Sequence, residues 1–342
     1  MNSAISITQS QRIDSIDVLR FIAILGIIII HCDPQCFFVR QLRNFDVPLM
    51  VFLAGVSYGM SSKKRKSSYG DYIWKRFKRM VLPTWIFLLL MTLVTFLTTK
   101  SLPEKEWLIS TFSLTTRTWY VWIIRVLFIM AVVAPLAIPC IDRRFTVRKY
   151  WIIGIIALIA IELMPHSPEW LPLYLLLEFI PFFLIFVLGC EVNHFSKKQL
   201  LLMAAFSFLV YLIYAVVLYI CQSQLVNTQI DKYPPRIYYI SYSLACITIL
   251  WVLKDKIVTL CDKIKVTKLF CFIGSHTLWI YFWHIAILHI MFHLTDIFWL
   301  RFLVVAIGSC VLTYVQYLTL QFMMSHIESK CVRTNLNIIF NG

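Results

Sequence analysis

The chain has 342 residues, of which 60% are hydrophobic and only 14% are charged, and its mean hydropathy is +0.78. Soluble domains are close to half apolar and a quarter charged, so this chain has too little polar surface for a water-exposed globule. The composition also excludes a collagen-like or disordered protein, and it predicts an integral membrane protein formed mainly by one helical bundle. The net charge of +15 must then be explained by where the basic residues lie in a membrane protein.

Ten segments are apolar and long enough to be transmembrane helices, each of which needs about 20 mostly apolar residues. In chain order they are Ile16–Cys32, Phe45–Met60, Met80–Thr99, Trp119–Cys140, Tyr150–Met164, Leu171–Val192, Leu200–Cys221, Arg236–Leu253, Leu269–Met291 and Phe298–Met324. No small-residue cleavage site follows the first apolar run, so we expect it to stay as an anchor. We predict an all-α integral membrane protein of about ten transmembrane helices, with residues 1–342 forming a single domain and no separate soluble domain.

The positions of the basic residues predict the orientation of this bundle. If the N-terminus is inside, 23 of the 32 Lys and Arg residues fall at the inner side and 8 at the outer side. Lys63–Lys66 and Lys75–Arg79 belong to the most basic inner loop. Cytoplasmic loops carry an excess of Lys and Arg, so both termini are predicted to be cytoplasmic. This asymmetry accounts for most of the charge without a nucleic-acid partner.

The first span contains three ionisable residues, Asp17, Arg20 and His31. Such groups cost a few kcal/mol inside a membrane unless they face a partner or water, so they mark function by default. Arg20 and His31 are eleven residues apart, which in a helix is three turns with a remainder of about 20° and roughly 16 Å along the axis. Asp17 lies one turn before Arg20 and can pair with it. The alternative is a salt-bridged helix end with a packing histidine.

A second basic group precedes the third span. Arg76 and Arg79 are spaced i, i+3, so on a helix they present adjacent guanidinium groups, and Lys78 lies between them in sequence. Arginine binds phosphate and pyrophosphate through paired hydrogen bonds, which makes this group a candidate phosphate site. The alternative is a topology determinant that contacts anionic lipid.

The ninth span is unusually polar for a membrane helix, with Ser275, His276, Thr277, Tyr281 and His284. In a continuous helix His284 lies about 80° further round than His276, so the two need not share a face. Either histidine can instead serve only to bond a neighbouring helix.

Further candidates are weaker. Arg125 and Glu178 are charges expected to be buried within spans. Trp119 and Tyr120 belong to an aromatic cluster whose default interpretation is an interfacial belt. The stiff basic segment Lys232–Arg236 precedes the eighth span and is either a turn or a contact for a glycan.

Together these segments resemble the membrane-bound acyltransferase-3 family, whose members O-acetylate bacterial surface polysaccharides. The resemblance extends from about Arg12 to Met324 and rests on five motifs in order. They are Asp17–Arg20 with His31, Phe45–Pro48, Lys75–Pro83 with its R-x-x-R before a Leu-Pro, the Trp119-Tyr120-Val121 opening of the fourth span, and Ile273–Ser275 with Tyr281–His284. The chain departs from the family at Ala54-Gly55, where relatives usually carry Ser-Gly, and at His276-Thr277, where a second small hydroxyl residue is usual.

The resemblance implies transfer of an acyl group, most simply acetyl, from cytoplasmic acetyl-CoA to a hydroxyl of a cell-surface polysaccharide or its lipid-linked precursor. It places the enzyme in a bacterial inner membrane, in contact with the lipid bilayer and a glycan, with no metal and no nucleic acid. The residue roles that it implies are a general base at His31 supported by Arg20 and Asp17, donor binding at Arg76, Lys78 and Arg79, and substrate or supporting contacts at Trp119, Tyr120, Ser275, Tyr281 and His284.

Two other function classes are compatible with the sequence. In a secondary transporter or glycan flippase, the intramembrane Arg, Asp and His would form a proton relay or substrate site. Against this, the two halves show no repeat, and an R-x-x-R loop has no obvious role in transport. A scaffold for a polysaccharide synthase would tolerate loss of His31. Whether acyl transfer is direct or passes through an acyl-histidine stays open.

Overall fold

The computed structural model describes residues 2–62, 67–116, 118–144, 147–165 and 170–341, with the side chains of all of these except 2–13 and 140–151. The described residues form fourteen α-helices and three single-turn 3₁₀ helices, and they contain no β-strand. The α-helices are α1 (Asn2–His31), α2 (Phe37–Leu42), α3 (Asp46–Ser62), α4 (Tyr69–Thr99), α5 (Lys105–Phe112), α6 (Trp122–Arg144), α7 (Val147–Glu162), α8 (Leu171–Glu191), α9 (Lys197–Gln222), α10 (Ile237–Lys263), α11 (Thr267–Ser275), α12 (Thr277–Leu294), α13 (Phe298–His326) and α14 (Lys330–Phe340).

Among the described residues, seven helical segments are long and apolar enough to cross a membrane. They are Phe37–Ser62, Tyr69–Thr99, Thr118–Pro139, Leu171–His194, Lys197–Gln222, Thr277–Leu294 and Phe298–His326. Large apolar side chains are exposed along them, for example Leu202 and Phe206 of α9 and Ile307 and Phe322 of α13. A water-soluble protein does not expose so many contiguous apolar side chains, so this chain is a multi-pass membrane protein.

The prediction of an all-α membrane protein is confirmed. The first, fifth and eighth predicted spans are helices α1, α7 and α10. The count of ten spans and the cytoplasmic position of both termini stay predictions. The basic run Lys63–Lys66, which contributed to the predicted orientation, lies outside the described residues.

The chain divides into two compact units, of which the first comprises Met1–Arg65 and Pro135–Gly274. Helices α3 and α8 of this unit pack closely together. A Cβ on Gly55 would clash with the carbonyl oxygen of Phe186, and a Cβ on Gly189 would clash with that of Phe52. Small residues allow membrane helices to approach at backbone distance. These glycines therefore fix α3, and with it the residues that α3 presents to α1.

Charged and polar side chains are buried in the loops of the first unit. Arg43 donates to Asp46 at 2.7 Å and to Gln229 at 2.8 Å, and the Lys232 ammonium lies 3.9 Å from the Asp46 carboxylate. Arg43, Asp46 and Lys232 are each less than 5% exposed. Arg236 is also buried and donates to the backbone oxygen of Glu162. The basic segment before α10 is therefore turned into the protein.

The second unit comprises Lys66–Ala134 and Ser275–Gly342. In it α12 packs against α13 and α4, with the rings of Phe87 and Phe282 stacked at a centroid distance of 4.8 Å. The amphipathic helix α14 packs against α4 and α13. Arg125 is buried in this unit and Glu178 in the first, which confirms the predicted burial of both.

The predicted ninth span, Leu269–Met291, is two helices and not one. The helix breaks at His276, whose φ of −111° and ψ of 24° lie outside the helical range, and α12 begins at Thr277. The comparison of His276 and His284 around a common helix axis assumed a continuous helix and is therefore wrong.

Candidate functional site

In the first unit, Asp17, Arg20 and His31 form the polar stripe of α1, and its first two residues form an ion pair. The Arg20 guanidinium donates to Asp17 at 2.9 Å, one turn earlier on the same helix, and to the Ser57 hydroxyl of α3 at 2.7 Å. Ser57 in turn donates to the backbone oxygen of Leu53 at 2.8 Å. Arg20 is only half-buried, and its planar fork is held by two partners at once. The predicted pairing of Asp17 with Arg20 is confirmed, and Ser57 extends it to a second helix.

His31 is the last residue of α1, and its side chain is half-buried. The helix continues without a break from Asn2 to His31, so the expected separation of roughly 16 Å along the axis between Arg20 and His31 applies. The chain turns directly after the histidine, where Asp33 adopts a positive φ of 57°. This turn keeps the imidazole at the end of a rigid helix.

The end of α11 packs on the first turn of this stripe. A Cβ on Gly274 would clash with the backbone carbonyl of Asp17, so only glycine permits the contact. The rings of Phe21 and Phe270 stack beside it at a centroid distance of 3.9 Å. Asp17 and Gly274 come from the first and last of the five sequence motifs, and the fold brings them together.

In the second unit, the R-x-x-R pair lies within the helix α4. The helix begins at Tyr69 because Ser68 caps it, with its side chain accepting from the Asp71 N–H. Arg76 lies over the ring of Tyr72, with 5.2 Å from its guanidinium carbon to the ring centroid. Arg76 and Arg79 share a helix face because they are three residues apart.

Lys78 points elsewhere. It donates to the Asn335 side chain of α14 at 2.8 Å, and its ammonium lies 5.7 Å from the ring centroid of Trp74. Around the axis of α4, Lys78 is rotated by about 200° from Arg76. The three predicted donor-binding residues are therefore an arginine pair on one face and a lysine bound to the C-terminal helix.

The predicted aromatic and histidine residues of the second unit come together around Tyr281. Its hydroxyl donates to the backbone oxygen of Tyr120 at 2.6 Å, and its ring meets that of His284 edge to face at 5.0 Å. His284 is fully buried. Trp119 precedes Tyr120 in a single-turn segment, Thr118–Tyr120, that leads into α6. Tyr281 thus holds the Trp119-Tyr120 turn against α12.

Ser275 does not belong to this group. It is exposed at the break between α11 and α12, where its hydroxyl lies 3.0 Å from the His276 Nδ1 atom. The other ring nitrogen of His276 lies 2.9 Å from the Asn341 side-chain oxygen, just beyond α14. The helix break and α14 are therefore connected through His276.

Comparison with known families shows to which family the chain belongs. The sequence model of the acyltransferase-3 family, described as an acyltransferase domain, matches residues 13–318. The chain belongs to the acyltransferase-3 family. No curated protein and no solved structure matches it. The match includes all five motifs but ends before α14, so the contacts of this acyltransferase at Asn335 and Asn341 come from outside the matched residues.

Some contacts of the acyltransferase were not found by sequence reasoning. Ser57 was missed because relatives usually carry a serine at the position of Ala54, whereas here the hydroxyl that binds Arg20 comes three residues later. The i, i+3 spacing from Ala54 puts Ser57 on nearly the same face of α3, and it was the only signal available. Asn335 was missed because no motif precedes α14.

Proposed function

We propose that this acyltransferase moves an acetyl group from cytoplasmic acetyl-CoA to a hydroxyl of a cell-surface polysaccharide or its lipid-linked precursor, in a bacterial inner membrane. The observation that carries the proposal is the continuous helix α1, which holds Arg20 between Asp17 and Ser57 and ends at His31. Placing ionisable side chains along a membrane helix costs free energy. A catalytic role for these residues explains why the chain has them.

His31 is proposed as the general base. The sugar hydroxyl oxygen attacks the thioester carbonyl carbon, so a C–O bond forms and the C–S bond to CoA breaks. The His31 imidazole takes the hydroxyl proton and passes it to the departing thiolate, which leaves as the free thiol of CoA. Such general-base catalysis contributes about 10²–10⁴ in rate. Asp17, Arg20 and Ser57 keep α1 in position for this step.

Donor binding is proposed at α4. CoA carries a pyrophosphate and a 3′-phosphate, and Arg76 and Arg79 present two guanidinium groups on one helix face. Paired hydrogen bonds from arginine match phosphate oxygens in geometry and charge. Lys78 is proposed as a supporting residue that Asn335 orients. Tyr281 and His284 are proposed to support the turn that carries Trp119 and Tyr120.

The test measures transfer and thiol release in the same membranes. Membranes with the wild-type chain, His31→Ala or His194→Ala receive radiolabelled acetyl-CoA and lipid-linked glycan from the host. His194 is the matched control, since it is an exposed histidine paired with Glu191 in the same unit. We expect label in the glycan and free CoA with the wild type and His194→Ala, and neither with His31→Ala at equal membrane abundance.

Three other results would overturn parts of the proposal. No label and no free CoA with the wild type, in membranes that contain the native glycan, would favour a transporter. Equal labelling with His31→Ala would keep the transferase and remove His31 as its base. Label on the protein that is released by hydroxylamine would replace direct transfer with an acyl-enzyme intermediate.

A further inference from the structure

The second unit contains a cavity of about 410 Å³. It lies between the loop that precedes α6 and the C-terminal half of α12, and its walls are mainly aromatic. Its lining residues are Trp107, Thr118, Trp119, Tyr120, Ile285, Leu288, His289 and Phe292. Pockets that bind small organic ligands have volumes of roughly 300–1,000 Å³ and combine apolar walls with a few polar groups.

The backbone of the cavity wall is strained. Trp119 has φ 52° and ψ 24°, and Tyr120 has φ 58°, so two consecutive residues with large side chains are left-handed. This conformation is unfavourable for any residue with a Cβ, and it persists only where the surroundings enforce it. Here the bond from Tyr281 to the Tyr120 carbonyl and the bond from the buried Arg125 to the Leu114 carbonyl hold the loop. The strained turn directs two aromatic rings into one pocket.

Three polar groups lie among these rings. The Trp119 indole N–H is shielded from solvent and has no hydrogen-bond partner among the described residues. The Thr118 hydroxyl accepts from Thr116 at 2.9 Å and keeps its own proton to donate. His289 is exposed at the rim, with its ring edge to face with Trp119 at 5.2 Å. A buried N–H without an acceptor is costly. A ligand oxygen that accepts from the Trp119 indole N–H best explains why this group is buried here.

The cavity lies far along α12 from the end of that helix that is connected, through α14, to Lys78. His276, at the start of α12, is linked to Asn341 beyond α14, and α14 is linked to Lys78 beside the arginine pair. His289 is thirteen residues further along α12, or roughly 20 Å along the helix axis. A ligand in the cavity therefore needs no phosphate group, and the described residues that line the cavity include no Lys or Arg.

We propose that this cavity binds a pyranose ring of the glycan acceptor, which rests on the acyl-acceptor role proposed above. One face of a pyranose carries C–H groups that pack against the electron-rich face of an aromatic ring, and its hydroxyls radiate around the edge. Trp107 and Trp119 provide the aromatic faces for this packing. The Trp119 N–H, the Thr118 hydroxyl and His289 provide hydrogen bonds for the ring hydroxyls. An acyl chain would leave all three of these groups without partners.

The first test measures binding without an acyl donor. Saturation-transfer difference NMR is recorded on the protein in lipid nanodiscs with the methyl α-pyranosides of glucose, galactose, mannose and rhamnose, and with decanoate as a lipid probe. We expect a signal for at least one pyranoside, lost in Trp107→Ala, Trp119→Phe and His289→Ala. Trp299→Phe is the control, because Trp299 is an exposed tryptophan on α13 outside the cavity. His289→Ala changes only the rim, so it tests the site even where a tryptophan variant fails to fold.

Two results of this experiment would overturn the inference. In one, no pyranoside gives a signal, or every variant keeps it. In the other, decanoate alone gives a signal that the cavity variants lose, which would make the cavity a lipid site.

The second test separates this inference from the proposed function. In the transfer assay, Trp119→Phe should raise the acceptor KM about tenfold and leave the acetyl-CoA KM unchanged. The substitution removes the indole N–H donor and part of the stacking face, and the loss of one such hydrogen bond is on that scale. A wild-type chain that binds pyranosides but transfers nothing would remove the acyl-transfer proposal and keep the sugar site. A chain that acetylates the glycan while its cavity variants keep the acceptor KM would remove the sugar site alone.

Discussion

Gly274 packs directly on the backbone carbonyl of Asp17, so the end of α11 lies against the helix that carries the proposed base. The two residues are far apart in sequence, yet each belongs to a segment in which family resemblance is concentrated. The late glycine is therefore explained by packing: it lets α11 reach α1 beside the Asp17–Arg20 pair. It has no chemical role of its own.

The first prediction concerns this contact. Gly274→Ala should lower the free energy of unfolding by about 1–3 kcal/mol, the usual cost of forcing a methyl group into a packed contact. Transfer activity should fall with it, because α1 has to shift. Thermal unfolding followed by fluorescence-detected size exclusion measures the effect. Gly70→Ala is the control, since a Cβ there would meet no atom of the described residues within 4 Å. Unchanged stability of Gly274→Ala would contradict the packing role.

The second prediction concerns Ser57. Ser57→Ala should reduce the transfer rate about tenfold, because the Arg20 guanidinium loses one of its two observed partners and a hydrogen bond to a charged group is worth about 1.5–3 kcal/mol. Ser61→Ala is the matched control on the same helix, since among the described residues the Ser61 hydroxyl bonds to its own helix, at the Tyr58 backbone oxygen. Ala54→Ser tests whether the serine position usual in relatives rescues Ser57→Ala. Equal rates for Ser57→Ala and Ser61→Ala would show that Arg20 does not need this anchor.

The third prediction concerns the donor. Arg76→Ala and Arg79→Ala should each raise the acetyl-CoA KM about tenfold or more, because each loses charge-assisted hydrogen bonds to phosphate. Lys78→Ala should have a smaller effect, because Lys78 lies about 200° around the helix from Arg76 and donates to Asn335. Steady-state kinetics with acetyl-CoA and its 3′-dephospho analogue measure this order. Lys105→Ala, an exposed cation on α5, serves as control. A larger loss with Lys78→Ala than with either arginine variant would reverse the assignment.

The fourth prediction concerns the buried ion pairs of the first unit. Asp46→Asn should destabilise the protein by about 3–5 kcal/mol, because it removes the buried carboxylate that pairs with Arg43 and lies 3.9 Å from the Lys232 ammonium. The exposed pair of Arg40 and Asp33 is the internal comparison, and Asp33→Asn should cost no more than about 1 kcal/mol. Thermal unfolding of both variants in the same detergent gives the difference. Similar losses would mean that the Asp46 network is not the buried cluster described.

The fifth prediction concerns topology. Single-cysteine variants that keep only Cys36, Cys221 or Cys331 can be labelled with a membrane-impermeant maleimide, because all three are free and exposed. With both termini in the cytoplasm, Cys36 and Cys221 should react in intact cells, and Cys331 only after permeabilisation. Labelling of Cys331 in intact cells would reverse the orientation predicted from the basic residues.

The sequence by itself determined the membrane class, the approximate positions of most long helices and the ion pair on α1. These features depend on composition and on spacings within one helix, where 3.6 residues per turn relates sequence to geometry directly. Asp17 and Arg20 could be paired from their spacing alone, and the motifs along the chain were sufficient to identify the family.

Only the tertiary structure decided that Ser57 binds Arg20, that Gly274 lies on Asp17 and that Lys78 binds Asn335. Each is a contact between helices, and spacing within one helix carries no information about which face meets a neighbour. The break at His276 was missed because apolar content does not distinguish one span from two joined helices. The aromatic cavity was missed because Trp107 and His289 are distant in sequence and are brought to the same cavity only by the fold.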